Sequence, residues 1–177
     1  MPAIERLLSY GVLSTRDYTM KAITHTDNCD QTMEFGEALG RRLRAGDVVA
    51  LFGDLGAGKT TLTKGIARGM NVEEEVHSPT FTLIHEHLGP TPLYHVDLYR
   101  LETEAEVESI GIEEYIHGDG VTVIEWADRM KSMLPPERLD IELRRKAGDE
   151  RAMMIETDSQ RLWGVVMEIA SDADSSD

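Results

Sequence analysis

The chain has a single cysteine, Cys29, among 177 residues, which excludes an intrachain disulfide and makes a reducing cytoplasm the simplest home. Long hydrophobic runs are absent. The longest, VVALF at 48–52, falls far short of the roughly 18 residues that a membrane span needs. The opening stretch MPAIERLLSYGVLSTRDYTM lacks a sustained apolar core and a small-residue cleavage site, so no secretory signal is expected. Positive charge is scarce too. Lys and Arg number 18 against 33 Asp and Glu, and the net charge of −15 repels a phosphate backbone, which argues against an independent grip on nucleic acid. The basic residues are 13 arginines and 5 lysines, a balance that suits a high-salt cytoplasm. Two short basic clusters, Arg41 with Arg42 and Arg44, and Arg144 with Arg145 and Lys146, read as solvated faces.

What is present is 41% hydrophobic content, enough at this length for one substantial core and one domain. The most informative stretch is LFGDLGAGKTT, residues 51–61, in which Gly53, Gly58, Lys59 and Thr60 meet the spacing G-x-x-x-x-G-K-[ST]. Its context is right. Asp47 to Phe52 suits a strand buried on both faces of a parallel sheet, and Thr61 to Arg68 reads as a helix stopped by Gly69. Glycines let successive backbone N–H groups converge on an anion, and the helix beginning near Lys59 adds its positive end. A polyphosphate is the natural guest. Lys59 would reach the β- and γ-phosphates, and the Thr60 hydroxyl would be a ligand of the Mg²⁺ that bridges them.

Such a site also needs acidic groups beside the metal and a group that orients the nucleophile. Asp97 and Glu125 qualify, because each ends an apolar run, PLYHVD or VTVIE, where a parallel sheet delivers it beside the loop. The pattern leaves the two roles open between them. HSPTFTLIHEH, between the loop's helix and the Asp97 strand, offers the hydroxyls of Ser78, Thr80 and Thr82 around a rigid Pro79. It reads either as a switch segment sensing the γ-phosphate or as the start of a strand with solvated hydroxyls. His85 and His87 alternate as on one strand face, and without a third evident ligand they do not make a zinc site. Trp126 either covers a ligand or packs in the core.

Residues 1–22 read as an appendage, 23–170 as the domain and 171–177 as a disordered acidic tail. THTDNCDQT is expected to cap a helix from about Met33 to Arg44. EAEVESIGIEEYI is expected to form one helix with Val107, Ile110 and Tyr115 inward, weakened by Gly111. LDIEL and RAMMIE read as an antiparallel hairpin, followed by a helix from about Ser159 to Ala170 burying Leu162, Val165, Val166 and Ile169. The fold class that follows is α/β: a P-loop NTPase-like, mostly parallel sheet flanked by helices, with an antiparallel C-terminal hairpin.

GDLGAGKTT, SPTFTL, LYHVDLYRL, SIGIEEY and VIEW stand here in an order that resembles the TsaE (YjeE) family, bacterial ATPases of tRNA threonylcarbamoyladenosine (t6A) synthesis. The resemblance runs from about Thr32 to Arg151. It implies ATP hydrolysis in support of threonylcarbamoyl transfer to the adenosine next to the anticodon, the transfer itself belonging to TsaD, which works with TsaB. It implies phosphate contacts from Leu55, Gly56, Ala57, Gly58, Lys59 and Thr60, Mg²⁺ held by Thr60 with Glu125, and Asp97 orienting or activating water. Thr61 and Trp126 match functional family positions, and Thr32 and Arg151 fall where the family closes around the nucleotide. One departure is His87, where the family usually has tyrosine.

Two rival readings share the loop. A small-molecule kinase would need a second-substrate pocket and an arginine-bearing lid, for which the segment with Arg129 and Arg138 is short and carries LPP. A nucleotide-dependent binding module would dock with little turnover. A GTPase is excluded by the lack of N-K-x-D and D-x-x-G.

Overall fold

Residues 19–174 are described by the computed structural model. In chain order they form β1 (Met20–Thr26), α1 (Cys29–Gly40), β2 (Val48–Phe52), α2 (Lys59–Gly69), β3 (Ile84–His87), β4 (Leu93–Asp97), α3 (Glu104–Ser109) and α4 (Ile112–Ile116). These are followed by β5 (Val121–Glu125), a 3₁₀ segment (Ala127–Met133), β6 (Leu139–Arg145), β7 (Arg151–Thr157) and α5 (Gln160–Asp174). The strands make a 7-stranded sheet in the order β1-β7-β6-β2-β5-β4-β3. β6, β2, β5 and β4 run parallel, while β7, β1 and β3 pair antiparallel with their neighbours. The mostly parallel sheet and the C-terminal hairpin expected from the sequence are both present.

The run VVALF explains why β2 sits at the centre. Side chains alternate across a sheet, and here both faces are apolar. Val49 and Leu51 join Phe35 and Leu39 of α1, Leu62 and Ile66 of α2, and Leu162 and Val166 of α5 in one buried cluster. Val48 and Ala50 join Val107, Ile112, Ile116 and Met130 in the other. A strand so enclosed holds its C-terminal end, where the loop begins, in a fixed place.

α1 and α2 cross at unusually close range because glycines face each other. A Cβ at Gly65 would lie 2.2 Å from the Met33 carbonyl oxygen, and one at Gly36 would lie 2.5 Å from that of Leu62. Both obstacles are backbone, so a methyl group must push the helices apart. Gly65→Ala is therefore expected to destabilise the fold by about 1–3 kcal/mol despite alanine's better helix propensity. Thermal or urea unfolding checks this, and an unchanged midpoint would mean that the crossing is looser than the structure has it.

Several boundaries differ from the sequence reading. Met20 to Ala22 belong to β1 rather than to an appendage, in register with Thr157 to Ile155 of β7. α1 starts at Cys29, four residues earlier than expected, because Asn28 is its cap and accepts from the Gln31 amide. Gly111, at φ 72°, divides the expected single helix into α3 and α4, so that Ile112 and Ile116 are buried where Ile110 and Tyr115 are only partly so. α5 runs on through Ala170 to Asp174. The expectations for 1–18 and 175–177 lie outside the described residues.

Three of the six residues in the two basic clusters are paired with carboxylates. Arg41 pairs with Glu37, Arg42 with Glu168 and Asp172, and Arg144 with Glu142. Such exposed pairs add little stability, but they offset part of the positive charge of each cluster.

Candidate functional site

After Phe52 the chain turns through Gly53, Gly56 and Gly58, at φ 128°, 75° and 110°. These left-handed values suit glycine alone among common residues. At Gly53 the neighbours add a second constraint, since a Cβ there would meet the Leu143 carbonyl oxygen at 2.3 Å. Gly58 caps α2 without a side-chain acceptor, so the first amides of the helix stay available to an anion. The Lys59 ammonium lies across the loop, donating to the carbonyls of Gly53 (2.5 Å) and Asp54 (2.9 Å) and standing 3.7 Å above the Trp126 ring. Burial pulls the Lys59 pKa below the ordinary lysine value, while the carboxylates of Glu125, Asp97, Asp128 and Asp54 work the other way.

β4 and β5 are in register so that Asp97 pairs with Glu125. Both are buried. Glu125 turns toward α2, accepting from Thr60 Oγ1 at 2.8 Å through Oε2 and from Thr63 Oγ1 at 3.3 Å through Oε1. Asp97 turns toward the segment 78–83. Its Oδ2 accepts from Ser78 Oγ (2.5 Å) and Thr80 Oγ1 (2.8 Å), and its Oδ1 accepts from the Tyr99 amide (3.0 Å). Its own amide donates to the carbonyl of Leu83, which is held at φ 68°. Thus Asp97 clasps the segment through both side chain and backbone.

These groups line one cavity of about 340 Å³, bounded by Leu55, Gly56, Ala57, Gly58, Lys59, Thr60, Thr61, Ser78, Thr80, Asp97, Tyr99, Glu125, Trp126 and Arg151. A neighbouring cavity of about 470 Å³ carries Asp54, Asp128, Asp140, Glu142 and Glu156 with only Lys131 in opposition. An anion would be repelled from that second cavity, whereas the smaller one offers Lys59, Arg151 and the loop amides to it. Trp126 borders both and sits at φ 61°, a strained conformation for so large a residue.

Of the residues expected from the sequence, all but Thr32 reach the cavity. Thr32 is buried in the first turn of α1, its hydroxyl bonded to Thr26 Oγ1 at 2.8 Å and the Asn28 carbonyl at 3.1 Å. Its link to the site is indirect, through Thr26, the strand partner of Arg151. His85 and His87 share a face of β3, with ring centroids 5.8 Å apart, and His87 is buried with Nδ1 3.3 Å from Glu74. Burial lowers the His87 pKa, and the Glu74 hydrogen bond opposes the shift.

Sequence reading missed Thr63, Tyr99 and His95. Tyr99 packs against Trp126 with ring centroids 5.0 Å apart and planes tilted by 46°, and His95 Nε2 lies 2.8 Å from Glu125 Oε1. The signal for His95 was there: it precedes Asp97 by two positions in one strand and so shares its face.

A family model described as threonylcarbamoyl adenosine biosynthesis protein TsaE matches residues 26–153. The chain belongs to the TsaE family. A relative from Bacillus subtilis (strain 168), named tRNA threonylcarbamoyladenosine biosynthesis protein TsaE, is 47% identical over 127 residues, 71% of this chain and 79% of that protein. A Treponema pallidum relative of the same name is 42% identical over 128 residues, 72% of this chain and 95% of that protein. A crystal structure of Bacillus subtilis YdiB superposes with a TM-score of 0.76 at 36% identity, covering 88% of this chain and 97% of that one. As a TsaE-family P-loop protein, the chain has among its described residues no helix long and apolar enough to cross a membrane.

Proposed function

We propose that the protein is a Mg²⁺-dependent ATPase of t6A formation in tRNA, hydrolysing ATP slowly by itself and faster when TsaD- and TsaB-like partners dock. One observation carries the catalytic part: Thr60 and Glu125 are hydrogen-bonded to each other while Asp97, the strand partner of Glu125, opens onto the same cavity. A hydroxyl and a carboxylate are hard oxygen donors, the set that Mg²⁺ takes beside nucleotide phosphates. Thr60 and Glu125 would therefore hold the ion, whose chemistry there is to offset charge on the β- and γ-phosphate oxygens.

The chain's own residues account for the rest. The loop amides from Leu55 to Thr60 and the end of α2 bind the phosphates, and Lys59 supplies a movable positive charge. Thr61 lies beside Thr60 in the first turn, and Arg151, packed 3.5 Å from the Gly58 Cβ position, brings a second cation to the rim. Trp126 and Tyr99 form an aromatic wall that limits water. Asp97 accepts a proton from the attacking water or orients it. Because Asp97 also holds Ser78 and Thr80, a partner that draws the segment 78–83 toward the nucleotide would free or re-aim this carboxylate.

Dependence on partners follows from charge. With a net −15 and with Arg41, Arg42 and Arg144 paired with carboxylates, the chain should bind ATP alone but gain little affinity from tRNA alone. A steady-state ATPase assay, with TsaD- and TsaB-like proteins and tRNA added in turn at several salt concentrations, should show turnover rising only with the protein pair. Full turnover by the isolated chain, stimulated by a small hydroxyl substrate and indifferent to the partners, would instead mark a kinase.

A further inference from the structure

We infer that His95 is a positioning residue for the metal-binding carboxylate, donating from Nε2–H to Glu125 Oε1 and fixing the carboxylate so that Oε2 faces Thr60. The inference rests on the proposed Mg²⁺ role of Glu125 and adds to it a residue from a different strand. His95 is fully buried on β4, with 0% of its surface exposed, and its Nε2 lies 2.8 Å from Oε1. Thr63 Oγ1 reaches the same oxygen at a longer 3.3 Å, while Thr60 takes Oε2 at 2.8 Å. The carboxylate is thus gripped at one oxygen from behind and offered at the other to the loop.

The tautomer follows from donor counting. An ionised carboxylate only accepts, so the proton of the bond must sit on Nε2. His95 Nδ1 has no hydrogen-bond partner among the described residues. With the proton on Nε2 the bond to Glu125 is made, whereas the other tautomer would bury an unpaired N–H and leave two acceptors facing each other. Without this anchor the terminal torsion of a glutamate is broad, and Glu125 would be free to turn away from Thr60. Hydrogen bonds behind a ligating carboxylate commonly carry about 10- to 100-fold in metal affinity.

The test compares two polar replacements. A glutamine amide nitrogen reaches about as far as Nε2, whereas an asparagine amide stops near the position of Nδ1. Binding of a fluorescent ATP analogue to the full chain is followed during a Mg²⁺ titration. His95→Gln should keep a half-saturating Mg²⁺ close to wild type, and His95→Asn should raise it about tenfold or more. A destabilised variant is compared instead by the rise in its unfolding midpoint when Mg²⁺ is added to ATP-saturated protein. Equal Mg²⁺ demand in His95→Asn and His95→Gln, with Glu125→Ala clearly impaired, overturns the role of His95 alone. If Glu125→Ala also titrates like wild type, the metal assignment falls and takes this inference with it.

Discussion

Lys59→Ala should bind ATP about 10- to 100-fold more weakly and lose about 100- to 1,000-fold in partner-stimulated turnover. The first range is what a charge-assisted hydrogen bond is worth, and the second is the usual cost of removing one preorganised donor from a developing negative charge. The geometry explains why two losses are expected. Lys59 is held over Trp126 by the carbonyls of Gly53 and Asp54, so its ammonium is stationed at the loop rather than in solvent. Burial disfavours that charge, and arriving phosphates would favour it, which makes the side chain more responsive to nucleotide than an exposed lysine. Alanine also removes the cation from the Trp126 face. Calorimetric titration with ATP and a steady-state assay separate the two effects, and wild-type turnover in the variant would remove the loop from the mechanism.

The same neighbourhood shows what could be read from sequence and what could not. The loop, the two carboxylates and the parallel strands were legible because each rests on local spacing: glycines where a turn must fold tightly, an apolar run ending in an acid, a helix period behind Lys59. The roles of Asp97 and Glu125 were not, since both end a strand at the same level. Spacing left them open and the family resemblance implied them; the structure adds that hydroxyls from α2 meet Glu125 and those of 78–80 meet Asp97, and the proposed roles draw on that difference. Strand β1 was hidden because burial alternates along Met20–Thr26 while polarity does not: Ile23 faces solvent, Thr24 and Thr26 are buried, and nothing local announces its partner β7. Trp126 was read as either a cover or a core residue. Its left-handed backbone accompanies contacts with Lys59 and Tyr99, which are distant in sequence, and no short-range rule conveys that.

Asp97→Asn should bind Mg²⁺ and ATP nearly as wild type does and lose about 100- to 10,000-fold in turnover, the range that general-base catalysis contributes. The substitution is well matched to the site. An asparagine oxygen can still accept from the Tyr99 amide, and its NH₂ can donate to the Ser78 or Thr80 oxygens that now donate to Asp97. The fold and the clasp on the segment 78–83 should therefore persist while basicity is lost. A competing explanation is that Asp97 merely pins that segment. Ser78→Ala combined with Thr80→Ala removes both hydroxyl donors and leaves the carboxylate, so the two explanations part company. If Asp97 acts on water, the double variant keeps most of its turnover at saturating ATP and partners. If it acts only as an anchor, Asp97→Asn, which preserves the clasp, keeps most of its turnover and the double variant loses it. Glu125→Ala completes the comparison, because it should fail at Mg²⁺–nucleotide binding, with a raised Mg²⁺ requirement as its signature. Were Asp97→Asn to show that metal-dependent defect and Glu125→Ala the turnover defect, the roles assigned to the two carboxylates would have to be exchanged.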